Sequence, residues 1–351
     1  MEVKREIMKK EADENKRKVS SARFLGLFAT ALMTAMLLVA VSVAPVSATD
    51  GDNNVPSIHV SICSCPGFSA PRGIAVEADG SLMVTDRGHE AVMRVDQVSG
   101  NCTIVSDDII GSGPSFEGPV GIAVEGKGTL VVADRGLKAV VRVDPVTGNR
   151  TIVSDATTGS GPSFEGPVGI AVEADGSLVV VDRGLEAVVR VDSVSGNRTI
   201  VSDNSTGSGT GFGGLRGIAV ECNGTLAVVN RDLKAVMRVE PINGNRTIVS
   251  DNSTGSGPSF SAPFGIAVEA DGTLVVADDG LNAVVRVEPV SGNRTVVSDN
   301  NTGSGPDFST PFGIAVEANG SLVVTDDDLE AVVRVEPVSG NRTNVSDAIP
   351  G

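Results

Sequence analysis

The segment PVGIAVEADGSLVVVDRGLEAVVRVDSVSGNRTIVSDNSTGSGTGFGG, residues 167–214, occurs in six close copies along the chain. The copies begin at Pro71, Pro119, Pro167, Leu215, Pro263 and Pro311, a period of 48 residues. Self-similarity at a fixed period decides the architecture before any other signal does. Each copy reads as four short strands. GIAVE ends at an Asp-Gly turn, SLVVVD ends at Arg-Gly-Leu-Glu, AVVRVD ends at a Gly-Asn turn, and RTIVSD leads into a long polar loop. Short apolar strands joined by Gly, Asn and Asp turns form antiparallel hairpins. One four-stranded sheet per repeat, six times over, predicts an all-β six-bladed β-propeller with blades 71–118, 119–166, 167–214, 215–262, 263–310 and 311–351. A β-helix is discounted, because solenoid coils take about 20–30 residues.

The shared core P-x-G-I-A-V-E-x-x-G-x-L-x-V-x-D, as in Pro119 to Asp134 and Pro263 to Asp278, resembles the NHL-repeat propellers over residues 71–351. The resemblance implies the propeller fold and little about activity. The third strand departs from the family pattern, with Leu-x-Ala-Val-Val-Arg-Val where many NHL units have Asn-x-Arg and an apolar or aromatic strand. Streptogramin lyase-like members would call for histidines in several blades, and this chain has only His59 and His89. Gluconolactonase-like members hold calcium with Glu, Asn and Asp from different blades. Those residue types are present here without a matching motif.

The first 48 residues carry eight Lys/Arg against five Asp/Glu, so of the net charge of −16 the remaining 303 residues hold about −19. A body that acidic repels nucleic acid and anionic membrane, and without Trp or Tyr it lacks stacking platforms for bases. Residues 24–43, FLGLFATALMTAMLLVAVSV, follow Lys16-Arg17-Lys18 and Arg23 and precede Val46 and Ala48 at signal-peptidase spacing. Residues 1–48 are read as a signal peptide cleaved after Ala48, or as an anchor spanning the membrane through 24–43. Both place residues 49–351 outside the cytoplasm, as a secreted, periplasmic or cell-surface domain. There Cys63, Cys65, Cys102 and Cys222 can form disulfides, in any of three full pairings. Twelve N-x-S/T sequons, five of them in the Gly-Asn-Arg-Thr turn, make it a candidate glycoprotein. Turn chemistry alone also explains their repetition.

Residues 49–70 precede the first full copy, and SIHVSICSCPGFSAP (57–71) resembles the end of a unit. Residues 58–62 are therefore expected to pair at the edge of blade 6, beside or instead of 342–346, closing the ring. Asn344 stands where copies one to four have Ile, a polar residue expected on an inward face.

Differences between copies mark the candidate site. The residue ending the second strand is Asp86, Asp134, Asp182, Asn230, Asp278 or Asp326. A carboxylate there is expected to cap the backbone of the next turn. The next residue is Arg87, Arg135, Arg183 and Arg231 in blades 1–4, then Asp279 and Asp327. If these turns share one rim, Asp278, Asp279, Asp326, Asp327 and Asp328 are neighbours, and clustered carboxylates in flexible loops suit Ca²⁺. A solvated acidic patch is the competing reading. Position two of each copy is Arg72, Val120, Val168, Arg216, Phe264 or Phe312, which would give a channel mouth two Arg and two Phe on different sides. Arg94, Arg142, Arg190, Arg238, Arg286 and Arg334 recur in the third strands, with the glutamates of GIAVE as natural ion-pair partners. One Phe per linker loop, Phe68 to Phe308, is expected to plug the space between blades.

The sequence therefore leads to a monomeric, exported propeller that binds a protein or cell-envelope component through Arg72, Arg216, Phe264, Phe312, Arg87, Arg135, Arg183 and Arg231. The alternative is a calcium-dependent, lactonase-like hydrolase with its acids on blades 5 and 6.

Overall fold

The computed structural model describes residues 67–346. The leader, the strand expected at 58–62, His59, Cys63 and Cys65 lie outside the described residues. Each repeat forms one antiparallel meander, giving 24 strands in six four-stranded sheets. In blade 3 the strands are Pro167–Val172, Leu178–Asp182, Ala187–Val191 and Arg198–Ser202. Local chemistry explains the turns. Asp175 Oδ1 accepts from the Ser177 amide at 2.8 Å while Gly176 takes φ 86°. Asp192 Oδ1 accepts from the Val194 and Ser195 amides at 3.1 and 2.7 Å.

The second strand of every blade is buried along its whole length. Both of its faces meet a neighbouring blade, so it can be apolar at every position rather than at alternate ones. The core accordingly lies between blades. Val131, Ala133 and Val140 of blade 2 pack with Leu178, Val180 and Val189 of blade 3. Each such aliphatic side chain contributes about 1.5–3 kcal/mol on burial, which offsets the absence of Trp and Tyr. The linker phenylalanines Phe68, Phe116, Phe164, Phe212, Phe260 and Phe308 are buried in these junctions, as the repeat predicts.

A second device crosses five of the six junctions at the outer edge. Arg198, which opens the last strand of blade 3, is buried and reaches back to the linker leaving blade 2. Its Nε donates to Pro162 O at 2.6 Å, and one terminal nitrogen donates to Ser154 Oγ, Asp155 O and Thr158 O at 2.5, 2.6 and 2.9 Å. Its guanidinium also sits 5.6 Å from the Phe164 ring centroid. Arg150, Arg246, Arg294 and Arg342 repeat this latch. The equivalent residue of blade 1 is Cys102, which is disulfide-bonded, whereas Cys222 is free and exposed.

The innermost strands come closest. A methyl group on Gly121 would stand 2.7 Å from Val168 O, and one on Gly217 would stand 2.5 Å from Phe264 O. Every blade has a glycine here against the position-two carbonyl of the next blade. Gly313 against Arg72 O, at 2.3 Å to the hypothetical Cβ, completes the circle. Thr325 Oγ1 donates to the same Arg72 carbonyl at 2.5 Å. The ring thus closes directly between blades 6 and 1. Residues 342–346 form the fourth strand of blade 6, paired with 332–335, so no other strand replaces them. Asn344 is exposed rather than inward-facing, whereas its counterparts Ile104, Ile152, Ile200 and Ile248 are half-buried against the core.

Candidate ligand site at the channel mouth

Position two of each repeat is the extra residue of a β-bulge. In blade 3, Pro167 faces Asp182 and Gly169 faces Val181, which leaves Val168 unmatched. Register slips at the same place in all six blades. A bulge re-aims a side chain out of the regular alternation. Here it turns Arg72, Val120, Val168, Arg216, Phe264 and Phe312 into the central channel. Pairing of Pro71 with Asp86 puts the strand-ending Asp turns at this same end. The result is a cavity of about 250 Å³ with the six isoleucines Ile74 to Ile314 beneath and arginine and phenylalanine above.

The strand-ending aspartates cap turns, as expected. Asp182 is buried and accepts from the amides of Glu165, Gly166, Gly184 and Leu185 at 2.8–2.9 Å. Asp278 accepts from Ser261, Ala262 and Leu281, and Asp326 from Ser309, Thr310 and Leu329, all at 2.8–3.2 Å. Burial nonetheless raises both carboxyls above their ordinary range.

The other three acids of the expected cation site are also engaged. Asp279 pairs with Arg231 of blade 4 at 3.5 Å, and Asp327 with Arg72 of blade 1 at 2.7 Å. Asp328 accepts from Thr310 Oγ1 at 2.6 Å and Ser309 Oγ at 3.3 Å. Burial, partly opposed by the paired arginine, raises Asp279 and Asp327. Among the described residues no three His, Cys, Asp or Glu side chains are grouped to hold a metal ion. The acidic sector of blades 5 and 6 is thus clamped by arginines from the blades on either side.

The two Phe and two Arg of position two are contiguous rather than on different sides. Phe264 and Phe312 stack with centroids 4.2 Å apart. Arg72 lies 4.6 Å from the Phe312 centroid, while Arg216 and Arg231 lie 5.1 and 4.6 Å from that of Phe264. The remaining sector, blades 1–3, holds Arg87, Arg135 and Arg183. These three line the cavity, are exposed, and have no carboxylate partner among the described residues.

The third-strand arginines lie elsewhere, bridging within blades. Arg190 grips Glu173 through Nε at 2.5 Å and a terminal nitrogen at 2.7 Å, and all six blades repeat this fork. These glutamates are tied back and form no carboxylate ring in the channel.

The fold has clear counterparts among solved structures. Similar folds occur in a virginiamycin B lyase and a gluconolactonase. Virginiamycin B lyase from Staphylococcus aureus matches with a TM-score of 0.57 at 16% identity, covering 80% of this chain and 86% of that one. A gluconolactonase from Xanthomonas campestris gives 0.58 at 16% identity, over 76% and 86%. An auxiliary nutrient binding protein from Bacteroides thetaiotaomicron gives 0.59 at 13% identity, over 76% and 69%. No protein-family model and no curated protein matches the chain. Likeness at such identities fixes the fold and leaves function to the site.

Proposed function

We propose that this protein is a binding module working outside the cytoplasm, which holds a protein or cell-envelope component at the mouth of its central channel. One observation carries the reading. The six blades are near-copies, yet the bulge residues and the residues after the strand-ending Asp differ among them, and all six bulge residues converge with Arg87, Arg135 and Arg183 on one cavity. A propeller of the same fold is a nutrient-binding protein, so the scaffold is compatible with such a role. The hydrolase reading rests on likeness to gluconolactonase alone, and its five aspartates already serve backbone amides, hydroxyls and arginines. The test is capture from cell-envelope extract by immobilised full-length protein, wild type beside Arg216→Ala/Phe264→Ala/Phe312→Ala, with and without chelator. A partner held by wild type in chelator and lost from the variant is expected. Identical retention by both proteins would refute the reading.

A further inference from the structure

Arg216 is the least comfortable charge in the channel. It is 8% exposed, its Nε has no hydrogen-bond partner, and a terminal nitrogen reaches only its neighbour's carbonyl, Leu215 O, at 3.1 Å. Burial, with repulsion from Arg183, Arg231 and Arg135 outweighing the pull of Asp232, pushes its pKa down to about 10. A buried cation without a carboxylate is costly, and an anion entering the cavity would relieve that cost. Three further guanidiniums, Arg87, Arg135 and Arg183, stand over the same cavity without partners among the described residues. Guanidinium forks match carboxylate and phosphate oxygens. Most of the rest of the lining is apolar: the Phe264–Phe312 pair and the ring of isoleucines. The protein as a whole carries −16, so this cationic spot is local and stands against the overall field.

Resting on the channel-mouth reading above, we propose that the group of the cell-envelope component seated in the channel is a small amphipathic organic anion. Its carboxylate or phosphate head lies among Arg87, Arg135, Arg183 and Arg216, and its compact apolar body rests against Phe264 and Phe312. The head supplies the charge that the arginines lack, and the body fills space that water solvates poorly. A cavity of about 250 Å³ limits the body to about the size of one ring.

Calorimetric titration of the full-length protein at low ionic strength tests this, with phenyl phosphate and benzoate as probes and inorganic phosphate and phenol as the isolated head and body. Arg135→Ser/Arg183→Ser is the variant of choice, because both side chains are exposed and unpaired and the fold does not depend on them. Saturable one-to-one binding of phenyl phosphate or benzoate is expected, at least tenfold tighter than phosphate or phenol and at least tenfold weaker in the variant. Added salt should weaken it, because three of the four arginines are exposed. Absence of saturable binding, phenol binding as well as phenyl phosphate, or unchanged affinity in the variant would each overturn the proposal. If the probes fail while envelope capture still depends on Arg216, Phe264 and Phe312, only the ligand class is wrong. If capture fails as well, the channel-mouth reading falls with it.

Discussion

At the outer edge of the ring, Arg150, Arg198, Arg246, Arg294 and Arg342 bind equivalent sets of acceptors in five successive junctions. At the channel mouth, the six equivalent bulge residues are arginine, valine or phenylalanine. Both regions are built from the same repeat, and both bring guanidiniums against phenylalanine rings. The difference lies in whether each cation is satisfied. The outer arginines donate to carbonyls and a hydroxyl, whereas Arg216 and the rim arginines of blades 1–3 lack comparable acceptors among the described residues. A group whose partners lie within the fold answers to stability. A group left without them where a cavity opens is available to something outside it.

Breaking the outer pattern should have the largest effect. Arg198→Ala removes the donor to Pro162 O, Asp155 O, Thr158 O and Ser154 Oγ, and should cost about 3 kcal/mol in urea unfolding. A loss below about 0.5 kcal/mol, the scale of ordinary surface substitutions, would show that the latch is ornamental. Asp182→Ala removes the acceptor for four amides and should cost about 2 kcal/mol by the same measurement. Gly217→Ala, with its methyl 2.5 Å from Phe264 O, should cost about 1–3 kcal/mol through overpacking. Arg135→Ser/Arg183→Ser should leave the free energy of urea unfolding within about 0.5 kcal/mol of wild type. A large loss there would mean that the mouth is structural and would erase the contrast with the outer edge.

The smallest effect sharpens the electrostatics. Asp278, Asp279, Asp326 and Asp327 have folded pKa values raised chiefly by burial. Above the unfolded value the folded state therefore binds more protons, and these groups lose stability for the protein as pH rises through their folded values. Stability followed between about pH 4 and 7 should decline less steeply in Asp279→Asn/Asp327→Asn than in wild type. An unchanged slope would mean that the arginine clamps fully offset the burial.

Much of the fold was legible because the repeat compares itself. Strand ends, the capping aspartates, the Arg–Glu forks and the Phe plugs all recur with one period, and each is a matter of local geometry. The latch was not read from the sequence. Its arginine opens an apolar strand, and its acceptors are backbone carbonyls of a linker in the preceding blade, which leave no side-chain signature. The signal available was that five fourth strands open with Arg and the sixth with Cys102. The acids of blades 5 and 6 were legible as neighbours but not as clamped ones. Arg231–Asp279 and Arg72–Asp327 cross blade boundaries, and the second also crosses the junction of the first and last blades. The bulge was hidden too, since a Pro-x-Gly start looks like ordinary strand.

The bulge has a consequence for how such a ring can change over time. The glycine beside it fixes how near the next blade lies, and the paired Pro and Asp fix the hinge, so the side chain between them, Arg72 with its clamp on Asp327 apart, is little tied to the frame. The molecule therefore carries six interchangeable sockets around an aperture of constant width. A new specificity needs only a change of fittings, one socket at a time, with the masonry left in place.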